Sequence, residues 1–102
     1  MYASVKEWLN APIELLPFIR RDGAGDKVLG QPMRVECYRV DEIKVVRNTQ
    51  GIEVTSNSHI YLDGTQSISI LDNIMLDGVE TPIQAISTFY RNGVPDIKVV
   101  YL

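Results

Sequence analysis

The sequence predicts a mainly β fold, a small antiparallel β-barrel or sandwich preceded by one short N-terminal helix. Three observations point there. The chain holds 11 Val, 11 Ile and 5 Thr against 4 Ala, and side chains branched at the β-carbon suit a pleated strand and lose rotamer freedom in a helix. Asp-Gly and Asn-Gly pairs stand at Asp63–Gly64, Asp77–Gly78 and Asn92–Gly93, and such pairs supply the positive φ that tight hairpin turns demand. Turn signals recur about every 10–14 residues with short apolar runs between them, the rhythm of a small all-β domain. A chain of 102 residues has room for one core, burying roughly 65% of its extended surface.

Taken in order, residues 1–19 read as an N-terminal helix and docking segment. Ser4 followed by Glu7 fits a capping box, and Val5, Trp8 and Leu9 share one helical face before Pro12 ends the helix. Trp8 packs either on the domain's own body or on a partner. Residues 13–20 form an apolar run broken by Pro17, so a strand there is expected to be short or at an edge. Residues 20–31 read as a flexible loop: Arg20 to Gly30 carries three glycines and five charges. The β domain proper is expected over 32–102. Its strands are predicted at 33–46 (with a bulge or bend near Asp41–Glu42), 52–56, 59–62, 67–71, 73–76, 82–90 and 97–102, and the run Arg47–Gly51 is a turn.

Charge and cysteine content narrow the function. Ten basic and 13 acidic residues give a net charge of −3, which disfavours a protein that grips nucleic acid by neutralising phosphates. The sign is unevenly placed, since residues 1–51 sum to +1 and residues 52–102 to −4. One cysteine, Cys37, permits no internal disulfide and no cysteine-based zinc site, and its strand-like flanks read as a buried small hydrophobe. No run approaches the ~18 consecutive apolar residues of a membrane span, and no start resembles a signal peptide.

The chemistry-bearing residues make no catalytic constellation. His59 is the sole histidine, beside Ser56 and Ser58 with Asp63 and Asp72 following, yet no nucleophile elbow accompanies it and it enters a short strand. The Asp72–Gly78 segment places Ile74 and Leu76 where a calcium loop needs oxygens. Gly23-Ala24-Gly25 lacks the strand–turn–helix unit of a dinucleotide site. The expectation is therefore no enzyme, no metal and no cofactor.

The order of features from residue 20 onward carries a resemblance. Arg47, Asn48, Gly51, Glu53 and Ser56 match an Arg-Asn-x-x-Gly-x-Glu-x-x-Ser hairpin, and Asp72, Ile74, Asp77 and Gly78 match an Asp-x-Ile-x-x-Asp-Gly segment. In that order and total length the chain resembles the small head-closure (stopper, or head–tail connector) and minor capsid proteins of long-tailed bacteriophages and prophages. The resemblance implies a structural virion protein, monomeric before assembly and a ring in the particle, generally of twelve subunits. That ring lies beneath the portal and adaptor, closes the DNA-filled head and receives the tail, and DNA passes through without specific binding. The implied location is the virion, with the host cytoplasm during assembly. It also implies a channel or gating hairpin over about 41–57, with Lys44, Arg47, Asn48, Thr49, Gln50 and Gly51 as candidates, although an ordinary hairpin fits that region too. Val5, Trp8, Leu9, Ile13 and Phe18 are the candidate partner-docking residues, and Arg20, Arg21, Asp22 and Lys27 the candidate rim loop that pairs with acidic neighbours. The alternative is a monomeric β-barrel module that binds a peptide or ligand.

Overall fold

The computed structural model describes residues 11–102, and the helix predicted around Val5, Trp8 and Leu9 lies outside those residues. Eleven strands follow: β1 (Ala11–Leu16), β2 (Phe18–Arg21), β3 (Lys27–Leu29), β4 (Met33–Val40), β5 (Lys44–Arg47), β6 (Glu53–Ser56), β7 (His59–Asp63), β8 (Asn73–Leu76), β9 (Val79–Pro82), β10 (Ala85–Arg91) and β11 (Val94–Tyr101). Seven of them make one antiparallel sheet in the order β10-β11-β7-β4-β1-β8-β9, curled into a half-barrel; β2–β3 and β5–β6 are separate two-stranded ribbons. The mainly β prediction therefore holds, with the sheet curled but still open along β9 and β10.

The curl has a visible joint in β4. Its first half pairs with β1, from Ala11 opposite Cys37 to Leu15 opposite Met33. Its second half pairs with β7, from Tyr38 opposite Tyr61 to Val40 opposite His59. The two halves of the sheet are thus staggered along one strand, and staggered pairing tilts and rolls a sheet as in a barrel.

Alternation along the strands decides which side is the core. Val35 and Cys37 on β4, Ile13 and Leu15 on β1, Ile60 and Leu62 on β7, Ile74 on β8 and Val100 on β11 face the concave side and are buried, joined there by Ile83 and Leu102. Full burial of a side chain such as Ile60 or Ile74 contributes about 1.5–3 kcal/mol over leaving it exposed. Ile68, Ile70, Leu76 and Ile86 pack against this cluster from its rim. The opposite face of β4, β7 and β11 carries Tyr38, His59, Tyr61 and Tyr101. Their rings meet at 5.9 Å (Tyr38–Tyr61), 5.4 Å (His59–Tyr61) and 5.6 Å (His59–Tyr101).

Three segments differ from the sequence expectation. Residues 11–16 form an interior strand, so Ile13, expected to dock on a partner, sits in this chain's own core opposite Val35. Pro12 is tolerated because β8 reaches only Glu14–Leu16 of β1, leaving one flank of Pro12 with no ladder to donate to. Residues 20–31 contain much of a hairpin rather than a structureless loop, as Arg20 and Arg21 pair with Val28 and Lys27.

Residues 67–71, read as a strand from their Ser/Ile alternation, form an irregular turn. The buried Asp72 carboxylate organises it, accepting from the backbone N–H of Phe18 (2.7 Å) and of Ser69 (2.8 Å). A carboxylate removed from water needs such donors, and here they tie the start of β2 to the approach to β8.

The turns that depend on local chemistry fall where the sequence puts them. Asp77 and Asn92 both have φ of 52° and are followed by Gly78 and Gly93 at 77°, the pair of positive values that defines a type I′ hairpin turn. Gly64 is different. Its φ is not positive, and a Cβ there would lie 2.5 Å from the carbonyl carbon of Pro95 and 2.6 Å from backbone atoms of Asp96. A glycine is required because two backbones approach, joined by a Gly64 N–H to Asp96 carbonyl hydrogen bond of 2.8 Å.

Candidate assembly surface

Two arms leave the sheet, and the topology sends them to opposite ends. β1 and β4 are antiparallel, as are β4 and β7; β2–β3 therefore leaves from the far end of β1, and β5–β6 from the far end of β4. Among the described residues each ribbon pairs only with itself. The fold measures 45 × 30 × 29 Å along its principal axes.

The tips of the two arms share one construction. In the first, Arg21 donates to the Gly25 carbonyl (3.0 Å), and the Asp22 carboxylate accepts from Ala24 N–H (2.9 Å) and Asp26 N–H (3.0 Å). In the second, Arg47 donates to the Gly51 carbonyl (2.8 Å), and the Asn48 side-chain oxygen accepts from Gln50 N–H (2.9 Å) and Ile52 N–H (3.0 Å). Main-chain bonds repeat as well: Gly25 N–H to Asp22 O matches Gly51 N–H to Asn48 O, both at 3.0 Å. Gly25 and Gly51 take φ of 87° and 77°, a left-handed conformation that glycine adopts without steric cost. The shared signal is Arg-Asp/Asn-x-x-Gly, at an offset of 26 residues, and the sequence reading passed over it.

This places the candidate residues. Arg47, Asn48, Gln50 and Gly51 form the tip of the second arm with Thr49, and Lys44 opens its first strand opposite Ser56. Arg21 and Asp22 form the tip of the first arm, Arg20 is exposed beside them, and Lys27 reaches Asn73 Oδ1 at 3.2 Å. Phe18 is half-buried at the base of that arm with the Arg21 guanidinium 5.9 Å from its ring centroid. Val5, Trp8 and Leu9 lie outside the described residues.

The base of the second arm is clamped by polar groups. Ser58 Oγ donates to Asp41 Oδ1 (2.8 Å), joining the residues before and after the arm, and Ser56 Oγ donates to the Ser58 carbonyl (2.8 Å). Arg39 Nε donates to the same Asp41 oxygen (2.9 Å), while its two terminal nitrogens grip both oxygens of Asp77 at 2.9 and 2.8 Å. The Ser58 hydroxyl and then Arg39 hold the Asp41 carboxyl below its ordinary range, and Arg39 does the same for Asp77. Arg39 itself is raised, first by Asp77. Arg39 was not singled out in the sequence, because its partner stands 38 residues away.

Large apolar side chains are exposed at both ends. Ile43, Val45, Ile52 and Val79 are exposed at the end that carries the second arm and the β8–β9 turn, with Val45 and Ile52 on opposite faces of the ribbon; Ile19, Phe89, Tyr90 and Val94 are exposed at the end that carries the first arm and the β10–β11 turn. Cys37, by contrast, is fully buried, and burial followed by the Glu36 charge pushes its thiol up to about 11. Among the described residues, no three His, Cys, Asp or Glu side chains are grouped to hold a metal ion, and no helix is long and apolar enough to cross a membrane.

Comparison with protein-family models, with curated proteins and with solved structures gave no match to this chain. What the fold and surface define is a class by architecture: an open antiparallel half-barrel carrying two like-tipped arms at opposite ends.

Proposed function

We propose that this chain is a non-catalytic structural subunit that assembles with copies of itself through its two ends, and specifically a ring subunit of a bacteriophage head–tail connector. The observation that supports this best is the two-ended distribution of exposed apolar side chains, Ile43, Val45 and Ile52 at one end against Phe89, Tyr90 and Val94 at the other. Different apolar side chains at the two ends of one molecule favour head-to-tail contacts, which close into rings when the rotation allows. The specific reading rests on the resemblance over residues 20–102. In it, portal, adaptor and tail proteins are the partners, and the second arm lies where that resemblance puts a channel hairpin. The Arg47–Glu53 pair at 3.4 Å leaves that arm with little net charge for holding phosphates, which suits DNA that slides past.

The test is co-sedimentation of the full chain with the cognate portal–adaptor complex that the proposal implies, using wild type and the double variant V45D/I52D. The proposal expects wild type to join the complex and the variant to fold normally but fall away. Wild type remaining in the supernatant overturns the connector reading. A second reading, a peptide-binding module, has one observation in its favour: β10 is a long open edge to which an extended peptide can add a strand.

A further inference from the structure

We infer that His59 is an acid-sensitive latch for the second arm, a property independent of what the chain assembles with. His59 begins β7 one residue after Ser58, the residue that closes the base of the arm on Asp41. It is 2% exposed, and among the described residues its buried Nδ1 has no hydrogen-bonding partner. Among the same residues Nε2 has only the Tyr61 hydroxyl, at 3.5 Å. Two phenol rings flank the imidazole, Tyr61 edge-on and Tyr101 tilted, and Val40 stands opposite it on β4. This is a site built for the neutral ring. An imidazolium donates from both nitrogens, and the site offers Nδ1 no acceptor.

The groups around it do not change that balance. Tyr61 shares its strand, Tyr101 faces it from β11, and Tyr38 lies behind Tyr61 on β4. From the 41–43 segment Glu42 favours the cation, while Lys44 on β5 opposes it more strongly. The Asp41 carboxylate, bonded to the neighbouring Ser58, already accepts from both Ser58 and Arg39. Burial is the main influence and holds His59 below its ordinary value.

Hydrating a protonated His59 requires moving the start of β7. That segment is attached by Ser58 to Asp41, by the Ser58 carbonyl to Ser56 Oγ and to Leu102 N–H, and by Asn57 N–H to the Leu102 carbonyl. Opening it frees the base of the arm while the core pairing of β1, β4 and β8 stays intact. The folded state binds fewer protons than the opened one, so closure is complete above about pH 6.5. It weakens by up to tenfold per pH unit as pH falls from there toward the depressed folded value. Asp41, held below its ordinary value, stays ionised from pH 7.5 to 5.0, which makes His59 the trigger.

The experiment is amide hydrogen exchange on the full chain from pH 7.5 to 5.0, corrected for the intrinsic pH dependence of exchange, with wild type and H59F. In wild type, protection of residues 44–47 and 53–60 is expected to fall severalfold to tenfold per unit below pH 6.5, while 73–82 is unchanged; in H59F that dependence is expected to vanish. The same slope in H59F overturns the latch. Nuclear magnetic resonance titration of the wild-type imidazole decides independently, even if H59F fails to fold. A midpoint well below 6.5 supports the latch, and an ordinary midpoint near 6.5 with unchanged arm protection overturns it.

Discussion

Replacing Gly64 by alanine tests the fold at its tightest point. The added methyl group would sit 2.5–2.6 Å from three backbone atoms of Pro95 and Asp96, where ordinary carbon contacts are about 3.5–4.0 Å. Relief needs the two backbones to part by about 1 Å. That stretches the 2.8 Å Gly64–Asp96 hydrogen bond beyond a useful length and strains the β7–β11 ladder that begins at Asp63 opposite Ile97. Overpacking costs about 1–3 kcal/mol and the lost hydrogen bond about 1 kcal/mol, so Gly64→Ala should cost about 2–4 kcal/mol. Urea denaturation measures this, and Tm should fall by at least about 10 °C. Two controls bracket the result. Gly93→Ala meets nothing within 4 Å but keeps a φ of 77° and should cost about 1–2 kcal/mol. Gly23→Ala, unobstructed and without a positive φ, should stay within about 0.5 kcal/mol. If Gly64→Ala unfolds with the Gly23→Ala variant, the close approach of β11 to the end of β7 is refuted.

Asp72→Ala removes two charge-assisted acceptors from a buried site and should cost about 3 kcal/mol, with Asp72→Asn less harmful; denaturant midpoints of both variants decide it. Cys37, buried with its thiol pushed up to about 11, should resist a thiol reagent in the native state and react only at the rate of unfolding. Asp41 and Asp77 have folded pKa values below their unfolded ones. Their contribution to stability is present above about pH 4 and is lost as pH falls through the folded values. Arg39→Ala should therefore flatten part of the acid limb below about pH 4 in a pH-dependent melting series. At neutral pH it should change stability little, because Asp41 and Asp77 are solvent-exposed and their pairing is screened.

The parts of this fold legible in the sequence are those whose causes are local. Asp77–Gly78 and Asn92–Gly93 are turns because their residue types tolerate positive φ, and the alternation of Val35 and Cys37 against Arg34 and Glu36 is a strand with one buried face whatever surrounds it. What the sequence concealed depends on distant partners. Ser67–Leu71 alternates like a strand, but Asp72 draws the Ser69 N–H into a turn and spends its other oxygen on Phe18, 54 residues away. The run holding Ile13 was expected to be short or at an edge because Pro17 breaks it; only the pairing of β1 with both β4 and β8 makes that run interior. The hairpin at 44–56 was visible from its turn and its valines. Its kinship with the 18–29 ribbon rests on side-chain geometry that only matching the two Arg-Asp/Asn-x-x-Gly runs would have exposed.

Electron microscopy of the full chain bound to the cognate portal–adaptor complex that the proposal implies tests the proposed assembly most directly. The account predicts a closed ring of this subunit in which Ile43, Val45 and Ile52 of each copy are covered by the Phe89, Tyr90 and Val94 end of the next. A particle in which both ends of every copy face solvent, or a complex carrying one isolated copy, would contradict it.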